Sequence, residues 1–275
     1  MRSLILASGT LSPMDMYEDD LGMKFEVKLQ NKHVIEPEQA LLRIVKSYQS
    51  NPFVFDYQSR QNKTMMLHLG AFIEDVSANL IRGGMLVFFP SYAMLVACRK
   101  AWENKKDGIK FRVPIQYEPK QSTQLETVMV KHRANCGDGN VSILVGVCRG
   151  KLSEGYDYPD DLARAVMVIG VPFQNTRDLK SIIKRTYYVR DPNKWLKDRT
   201  MGAVNQSLGR VIRHRADYGA MYLVDLRYSQ REYKPYHQEE AEAQAAGNTE
   251  AEAVEDALNN DGEIAEEGES PDEPK

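Results

Sequence analysis

The chain has 275 residues and a formal net charge of −3, and 42% of its residues are hydrophobic. A chain of this size can bury one substantial core with an appendage. No apolar run approaches the roughly 18 residues of a membrane span and the start lacks a signal-peptide pattern, which predicts no membrane partner and no export. Cys98, Cys136 and Cys148 have no paired spacing, so we expect a reducing compartment and neither disulfides nor a zinc site.

The charge is divided between a basic body and an acidic end. Residues 239–275 contain 14 acidic residues and one lysine, whereas residues 1–238 contain 35 basic and 25 acidic residues. A basic body favours a polyanionic partner, although many solvated surfaces have a similar balance. The acidic end has no aromatic residues and is predicted to be disordered from about residue 238. It is interpreted as a solubilising end, with folding back over the basic body as the alternative.

Short apolar segments alternate with helical patterns along the body of the chain. The patterns predict strands at 4–7, 25–29, 41–45, 85–89, 111–115, 141–147, 165–171 and 219–225. They predict helices at 65–81, 92–102, 123–133, 176–188 and 201–215. This alternation is typical of an α/β domain with a doubly wound parallel sheet flanked by helices. Because the first predicted strand has no lead-in, we expect the chain to be a fragment.

The predicted helix at 201–215 carries the most distinctive chemistry. At helical spacing, Gln206, Arg210 and Arg213 share one face and apolar residues lie opposite. Gly209 would lie inside the helix, where it costs about 1 kcal/mol against alanine. Two guanidiniums suit a polyphosphate ligand. The alternative is an amphipathic surface helix with a solvated basic face.

Three polar segments follow predicted strands. Ser8, Gly9 and Thr10 follow the first strand, Ser91 follows the strand at 85–89, and the loop 153–157 comes after the strand at 141–147. Carboxyl ends of parallel strands share one edge, so these segments are predicted to line one cleft. The alternatives are an ordinary turn, a helix N-cap at Ser91 and a polar turn whose acids cap backbone donors.

One segment resembles a phosphate-binding loop without meeting its requirements. Gly146 and Gly150 are separated by three residues instead of four, and Leu152 stands where a magnesium-binding hydroxyl is needed. The body therefore offers arginines to phosphate but lacks its own phosphate cradle. We expect such a domain to complete its site together with another domain.

Four segments in chain order carry a family resemblance. They are SGTLSP at 8–13, GMLVFFPSY at 84–92, VCRGKLSEGYD at 147–157 and NQSLGRVIRHRADYG at 205–219. They resemble motifs III, IV, V and VI of XPD-type superfamily 2 DNA helicases, most of all the Fanconi anaemia group J and regulator-of-telomere-length helicases. Residues 169–179 slightly favour the group J type. The resemblance runs from residue 3 to about residue 230.

The resemblance implies a hydrolase with two RecA-like domains that clamp ATP and Mg²⁺ between them and track along single-stranded DNA. It implies that Gln206, Arg210 and Arg213 face the ATP phosphates, with Arg213 or Arg210 as the arginine finger. It further implies that the loop residues Glu154, Gly155 and Asp157 lie at the nucleotide and interdomain seam.

The DNA-facing residues follow from the same resemblance. Ser8, Gly9 and Thr10 would couple hydrolysis to DNA movement, and Ser91 would touch the DNA backbone with help from Lys184 and Arg185. The implied partners are single-stranded or forked DNA, the N-terminal RecA-like domain and repair proteins. The implied compartment is the nucleus.

The chain departs from the family by lacking a Walker A loop, an Asp-Glu-Ala-His box and four iron–sulfur cysteines. We therefore expect residues 1–13 to be the closing strand of the first RecA-like domain. Residues 14–237 would form the second domain, and 238–275 the acidic tail. ATP hydrolysis and the iron–sulfur cluster would then require a missing N-terminal half. The alternative is a free-standing, non-catalytic nucleic-acid-binding or regulatory module derived from a helicase domain.

Overall fold

A six-stranded parallel sheet forms the centre of the molecule, in a computed structural model that describes residues 3–7, 14–29, 35–187, 191–230 and 233. Its strands lie in the order β1-β8-β7-β4-β6-β5. They are β1 Ala40–Val45, β4 Gly83–Phe89, β5 Ile115–Tyr117, β6 Val141–Val147, β7 Ala165–Ile169 and β8 Gly219–Val224, and a small antiparallel pair adds β2 Ser47–Tyr48 and β3 Asn51–Pro52. Every residue of β4, β6 and β7 is buried, as expected for strands covered on both faces.

Helices cover both faces of this sheet. They are α1 Asp15–Leu21, α2 Lys63–Asn79, α3 Tyr92–Trp102, α4 Leu125–Gly137, α5 Lys151–Glu154, α6 Leu179–Tyr187 and α7 Pro192–Leu208. Leu86 and Phe88 of β4 belong to the core shared with α4, α5 and α7, whereas Met85, Val87 and Phe89 belong to the core shared with α2 and α3. The alternation along the strand thus divides the apolar residues between two cores. This confirms the predicted doubly wound α/β class.

The parallel register sets which loops meet at each end of the sheet. Phe89 lies opposite Val147, so the segments after β4 and β6 leave from the same carboxyl edge. Ala165 lies opposite Ala220, so Arg164 and the residues before Gly219 meet at the amino edge.

Two predicted strands are wrong. Residues 25–29 form no strand: Val27 is 85% exposed and Leu29 76% exposed, so the alternating pattern has no neighbouring strand to pair with. Residues 4–7 are also outside any strand, and Ile5 is 84% exposed. The weak strand at 111–115 is displaced to Ile115–Tyr117.

The three cysteines all lie in the described part of the chain. Cys98, Cys136 and Cys148 are free and buried, and burial raises the pKa of Cys136 to about 11 and that of Cys148 to about 12. Among the helices that the structure describes, none combines the length and apolar character that crossing a bilayer requires. The predicted disordered tail at 238–275 lies outside the described residues.

Candidate functional site

The helix that leads to the arginines starts and stops at defined signals. The side chain of Asp191 accepts hydrogen bonds from the backbone N–H groups of Asn193 and Lys194, at 3.0 and 3.1 Å, and Pro192 occupies the first turn. The helix α7 ends at Leu208, and Gly209 is its C-cap. The predicted helix at 201–215 is therefore wrong beyond residue 208.

The early end of α7 follows from packing. Val211 is fully buried, and it lies so close to the start of β8 that a Cβ on Gly219 would be 2.1 Å from Val211 Cγ1. The chain must leave the helical path to place Val211 there. Gln206 therefore lies in the last turn of α7, whereas Arg210 and Arg213 lie in the non-helical segment 209–218, which we call the arginine segment. Gly209 is the C-cap of α7, so the cost of about 1 kcal/mol for a glycine inside a helix does not apply.

Arg210 is largely fixed by the loop before β7. Its Nη1 donates to the backbone oxygen of Tyr156 at 3.0 Å. Its Nε is buried and has no hydrogen-bond partner among the described residues. Burial lowers the pKa of Arg210, and the nearby positive charge of Arg213 lowers the same pKa further.

Arg213 contacts the same loop through an ion pair. Its Nη2 lies 2.8 Å from Asp157 Oδ1; the Arg213 side chain is 28% exposed and that of Asp157 is 72% exposed. Its backbone N–H donates to Asp217 Oδ2 at 2.9 Å. The backbone of Arg213 is therefore held more firmly than its guanidinium.

The structure brings part of the predicted 153–157 loop to the arginines. Glu154 ends the short helix α5 and is exposed, and Gly155 follows it, with its N–H donating to Lys151 O at 2.8 Å. The carboxylates of Asp157 and Glu154 are close enough to raise the pKa of Arg210 in part. The predicted proximity of this loop to the arginines is thus present in the fold.

Ser91 lies at the carboxyl edge of the sheet. It follows β4 at the carboxyl edge and caps α3, where its Oγ accepts from the N–H of Met94 at 3.3 Å. The N-cap interpretation of Ser91 is therefore confirmed. Its predicted place in one cleft with the arginines stays a prediction.

The basic pair on α6 makes contacts within the domain. Lys184 Nζ lies 3.5 Å from Asp20 Oδ1 on α1. Arg185 Nε is buried and has no hydrogen-bond partner in the part of the chain that the structure describes. The predicted residues Ser8, Gly9 and Thr10 lie outside the described residues.

Two buried groups were not singled out from the sequence. Asp217 and Arg164 are 1% and 8% exposed, and Arg164 Nη1 donates to Asp217 Oδ1 at 2.5 Å. Glu118, 6% exposed, follows β5 and accepts from the hydroxyl of Tyr92 and the backbone N–H groups of Val147 and Lys151. For Arg164, the available signal was a charged residue directly before an apolar strand.

The arrangement around the arginines suits an anion better than a metal ion. Two guanidiniums can offer several N–H groups to the oxygens of one phosphate chain. Ligand atoms of Asp160, His214 and Asp217 lie within 4.8 Å of one another. However, Asp217 is already bonded to Arg164 and to the N–H of Arg213, and His214 Nε2 lies 2.9 Å from Asp160 Oδ1. We read this group as an ion-pair network.

Comparison with protein families matches this chain to the model described as "Helicase C-terminal domain" over residues 73–242. The chain belongs to the helicase C-terminal domain family. The arginine segment and the 153–157 loop both fall within the matched range, so the contacts described above lie inside the helicase domain.

The helicase domain is also similar to individual proteins. It is 37% identical over 240 residues to a regulator of telomere elongation helicase 1 homologue from Drosophila ananassae, covering 83% of this chain and 24% of the relative. A homologue from Oryza sativa subsp. japonica is 36% identical over 261 residues, covering 85% and 26%. The chain thus spans about a quarter of the length of these relatives. The resemblance to XPD-type helicases is confirmed on its telomere-regulator side, and the group J preference stays a prediction.

Two solved structures share the fold. An XPD helicase matches with a TM-score of 0.66 at 22% identity, covering 86% of this chain and 41% of that chain. An apo XPD structure matches with a TM-score of 0.60 at 20% identity, covering 84% and 46%. The RecA-like α/β fold is therefore confirmed for the helicase domain.

Proposed function

We propose that this chain is the second RecA-like domain of an ATP-dependent DNA helicase. In this proposal Arg213 is the arginine finger for ATP bound on the first domain, and Arg210 and Gln206 face the same phosphates. Residues 14–237 would form the domain, and 1–13 would close the first one. The chain alone would not hydrolyse ATP.

The observation that carries the proposal is the pair of guanidiniums on the arginine segment. The positive charge of Arg213 lowers the pKa of Arg210, so each charge disfavours the other. An anion placed between them would remove this repulsion. Polyphosphate has the charge and the several oxygens that this requires.

Arg213 is the better candidate for the finger because its partner is easily exchanged. The ion pair with the exposed Asp157 is worth about 0–1 kcal/mol. Arg210, by contrast, is anchored through Nη1 to the oxygen of Tyr156. Arg213 can therefore turn from Asp157 to a phosphate at little cost while Arg210 stays in place.

The chemistry supplied by ATP is transfer of its γ-phosphoryl group to water, with Mg²⁺ as counterion. The role of this chain would be electrostatic: Arg213 neutralises charge that develops on the phosphoryl oxygens, an effect worth about 10³–10⁵ in rate in related enzymes. Among the described residues we assign no ligand to Mg²⁺, which would be held by the other domain. An iron–sulfur cluster would likewise be held by the missing N-terminal half, because the three cysteines at these spacings cannot supply its four ligands.

The DNA-facing part of the proposal concerns the carboxyl edge. The Ser91 hydroxyl accepts from Met94 and keeps its own proton to donate to a phosphate oxygen. The first N–H groups of α3 point in the same direction. We propose that Ser91 contacts single-stranded or forked DNA, with Lys184, Arg185 and the segment Ser8–Gly9–Thr10 contributing. From the telomere-related names of the relatives we further propose that the protein acts in the nucleus, in DNA repair, together with repair proteins.

The test uses the full polypeptide that contains this chain. Arg213→Ala is expected to lower DNA-stimulated ATP turnover by about 10³-fold or more, with single-strand affinity nearly unchanged. The matched control is Arg215→Ala, because Arg215 is an exposed arginine two residues further along the same segment. This variant should keep the rate of ATP turnover within about twofold of the wild-type rate. Full turnover by Arg213→Ala would exclude the finger role, and salt-sensitive DNA binding without any ATPase would favour the non-catalytic module.

A further inference from the structure

The position of Arg213 cannot come from a helix, because the arginine segment is not helical. A helix fixes the direction of each side chain through its own backbone hydrogen bonds, whereas a loop depends on contacts with the rest of the fold. The residues that hold the arginine segment are therefore candidates for positioning residues.

Asp217 provides the central contact. Its side chain is fully buried, and its carboxylate accepts three hydrogen bonds. Oδ2 accepts from the backbone N–H of Arg213 at 2.9 Å, and Oδ1 accepts from Tyr218 N at 3.1 Å and Arg164 Nη1 at 2.5 Å. The Asp217 carboxylate thus connects the backbone of Arg213 to the guanidinium of Arg164, which lies directly before β7.

Arg164 attaches this carboxylate to the middle of the sheet. Its backbone N–H donates to Gly84 O at 2.8 Å, and its backbone oxygen accepts from Ala220 N at 2.9 Å. The guanidinium also donates to Tyr218 O at 2.9 Å and to Asp161 Oδ1 at 2.9 Å, and it lies 4.3 Å from the centre of the Tyr218 ring. The Tyr218 ring thus covers one face of the guanidinium, and Nε and Nη1 are both hydrogen-bonded.

A second contact holds the same segment from the other side. Gln39, just before β1, donates from Nε2 to the backbone oxygens of Arg215 and Asp217, at 2.9 and 2.7 Å. The segment is thus fixed to both β7 and β1.

We propose that Arg164 and Asp217 are positioning residues that set where Arg213 stands relative to the nucleotide. This rests on the proposed function of Arg213 as the arginine finger. Stability is a poor explanation for the pair, because the desolvation of two buried charges largely offsets their attraction. What the pair provides is a fixed backbone at Arg213.

The test is Asp217→Asn in the full polypeptide. Asparagine has one acceptor oxygen and an NH₂ group; if the oxygen keeps Arg164 and Tyr218, the NH₂ group faces the N–H of Arg213, and two donors oppose each other. A misplaced finger is expected to lower kcat by about 10- to 100-fold, with the KM for ATP and the affinity for single-stranded DNA within about twofold.

A double-mutant cycle separates positioning from general damage. Single-turnover hydrolysis with excess enzyme measures the residual rate of Arg213→Ala, and adding Asp217→Asn should lower that rate no further. Asp198→Asn is the matched control: Asp198 is 3% exposed and pairs with Lys194 at 2.7 Å on α7, outside the arginine segment. It should lower Tm while kcat stays within about twofold.

The outcomes distinguish the two proposals. An unchanged kcat in Asp217→Asn, or an equal loss with and without Arg213, overturns the positioning role alone. Full turnover by Arg213→Ala overturns the finger role and the positioning role with it. If Asp217→Asn does not fold, Arg164→Lys keeps the charge but loses the fork, and a selective loss of kcat is expected again. Wild-type kcat in that variant contradicts the positioning role.

Discussion

Gly219, the first residue of β8, is expected to accept a side chain only with a loss of stability, because it packs against the arginine segment. A Cβ there would lie 2.1 Å from Val211 Cγ1 and 2.9 Å from the backbone oxygen of Arg164. Ordinary carbon–carbon contact requires about 3.5–4.0 Å, so Val211 must move by more than about 1 Å. Overpacking of this kind costs about 1–3 kcal/mol. For a domain of this size we expect Gly219→Ala to lower Tm by about 3–10 °C.

Truncating Val211 should relieve part of this strain. Val211→Ala alone removes two methyl groups from a fully buried site, which we expect to cost about 2–3 kcal/mol. In the double variant the new Cβ occupies the space that Cγ1 has left. The double variant should therefore be more stable than the sum of the single effects predicts, by about 0.5–2 kcal/mol.

Urea unfolding of the 275-residue chain, followed by far-UV circular dichroism, measures these free energies. The m-value should stay constant across the four proteins. Effects that add to within about 0.5 kcal/mol would mean that Val211 is not the group that Gly219 accommodates. The contact with the oxygen of Arg164 would then be the dominant constraint.

Two further predictions concern pH and polypeptide size. His132 is fully buried between Ser142 Oγ at 3.1 Å and Leu162 O at 3.0 Å, and burial lowers its pKa. The unfolded chain therefore binds this proton more readily, so the free energy of unfolding should fall as the pH drops below about 6.5. Urea midpoints at pH 8 and pH 5 measure this, and a slope that His132→Gln leaves unchanged would contradict it. Since the relatives are about four times as long as the matched segment, an antiserum against residues 193–219 should detect a band far above 31 kDa; a band at about 31 kDa would favour the free-standing module.

The sequence alone determined the fold class and the family. The continuous apolar runs at 85–89 and 141–147 predicted buried strands, because a strand covered on both faces of a parallel sheet needs apolar residues on both faces. Both runs form fully buried strands in the structure. The end of the helix at Trp102 was predicted from its apolar spacing, and the N-cap at Ser91 was the alternative that the structure confirms. Local sequence was sufficient to predict these elements, because the pattern of apolar residues in each segment already shows which of its faces are buried.

Tertiary structure decided where the arginines lie and what holds them. Periodicity extended α7 to residue 215, but the burial of Val211 against Gly219 ends the helix at Leu208. The ion-pair partner of Asp217 is Arg164, which lies 53 residues earlier in the chain. A local sequence pattern cannot predict a contact between residues so far apart. The strand predicted at 25–29 is wrong for a related reason. Alternation of apolar and polar residues shows that a segment could have two different faces, but a strand also needs a neighbouring strand for its backbone hydrogen bonds, and only the tertiary structure shows whether there is one.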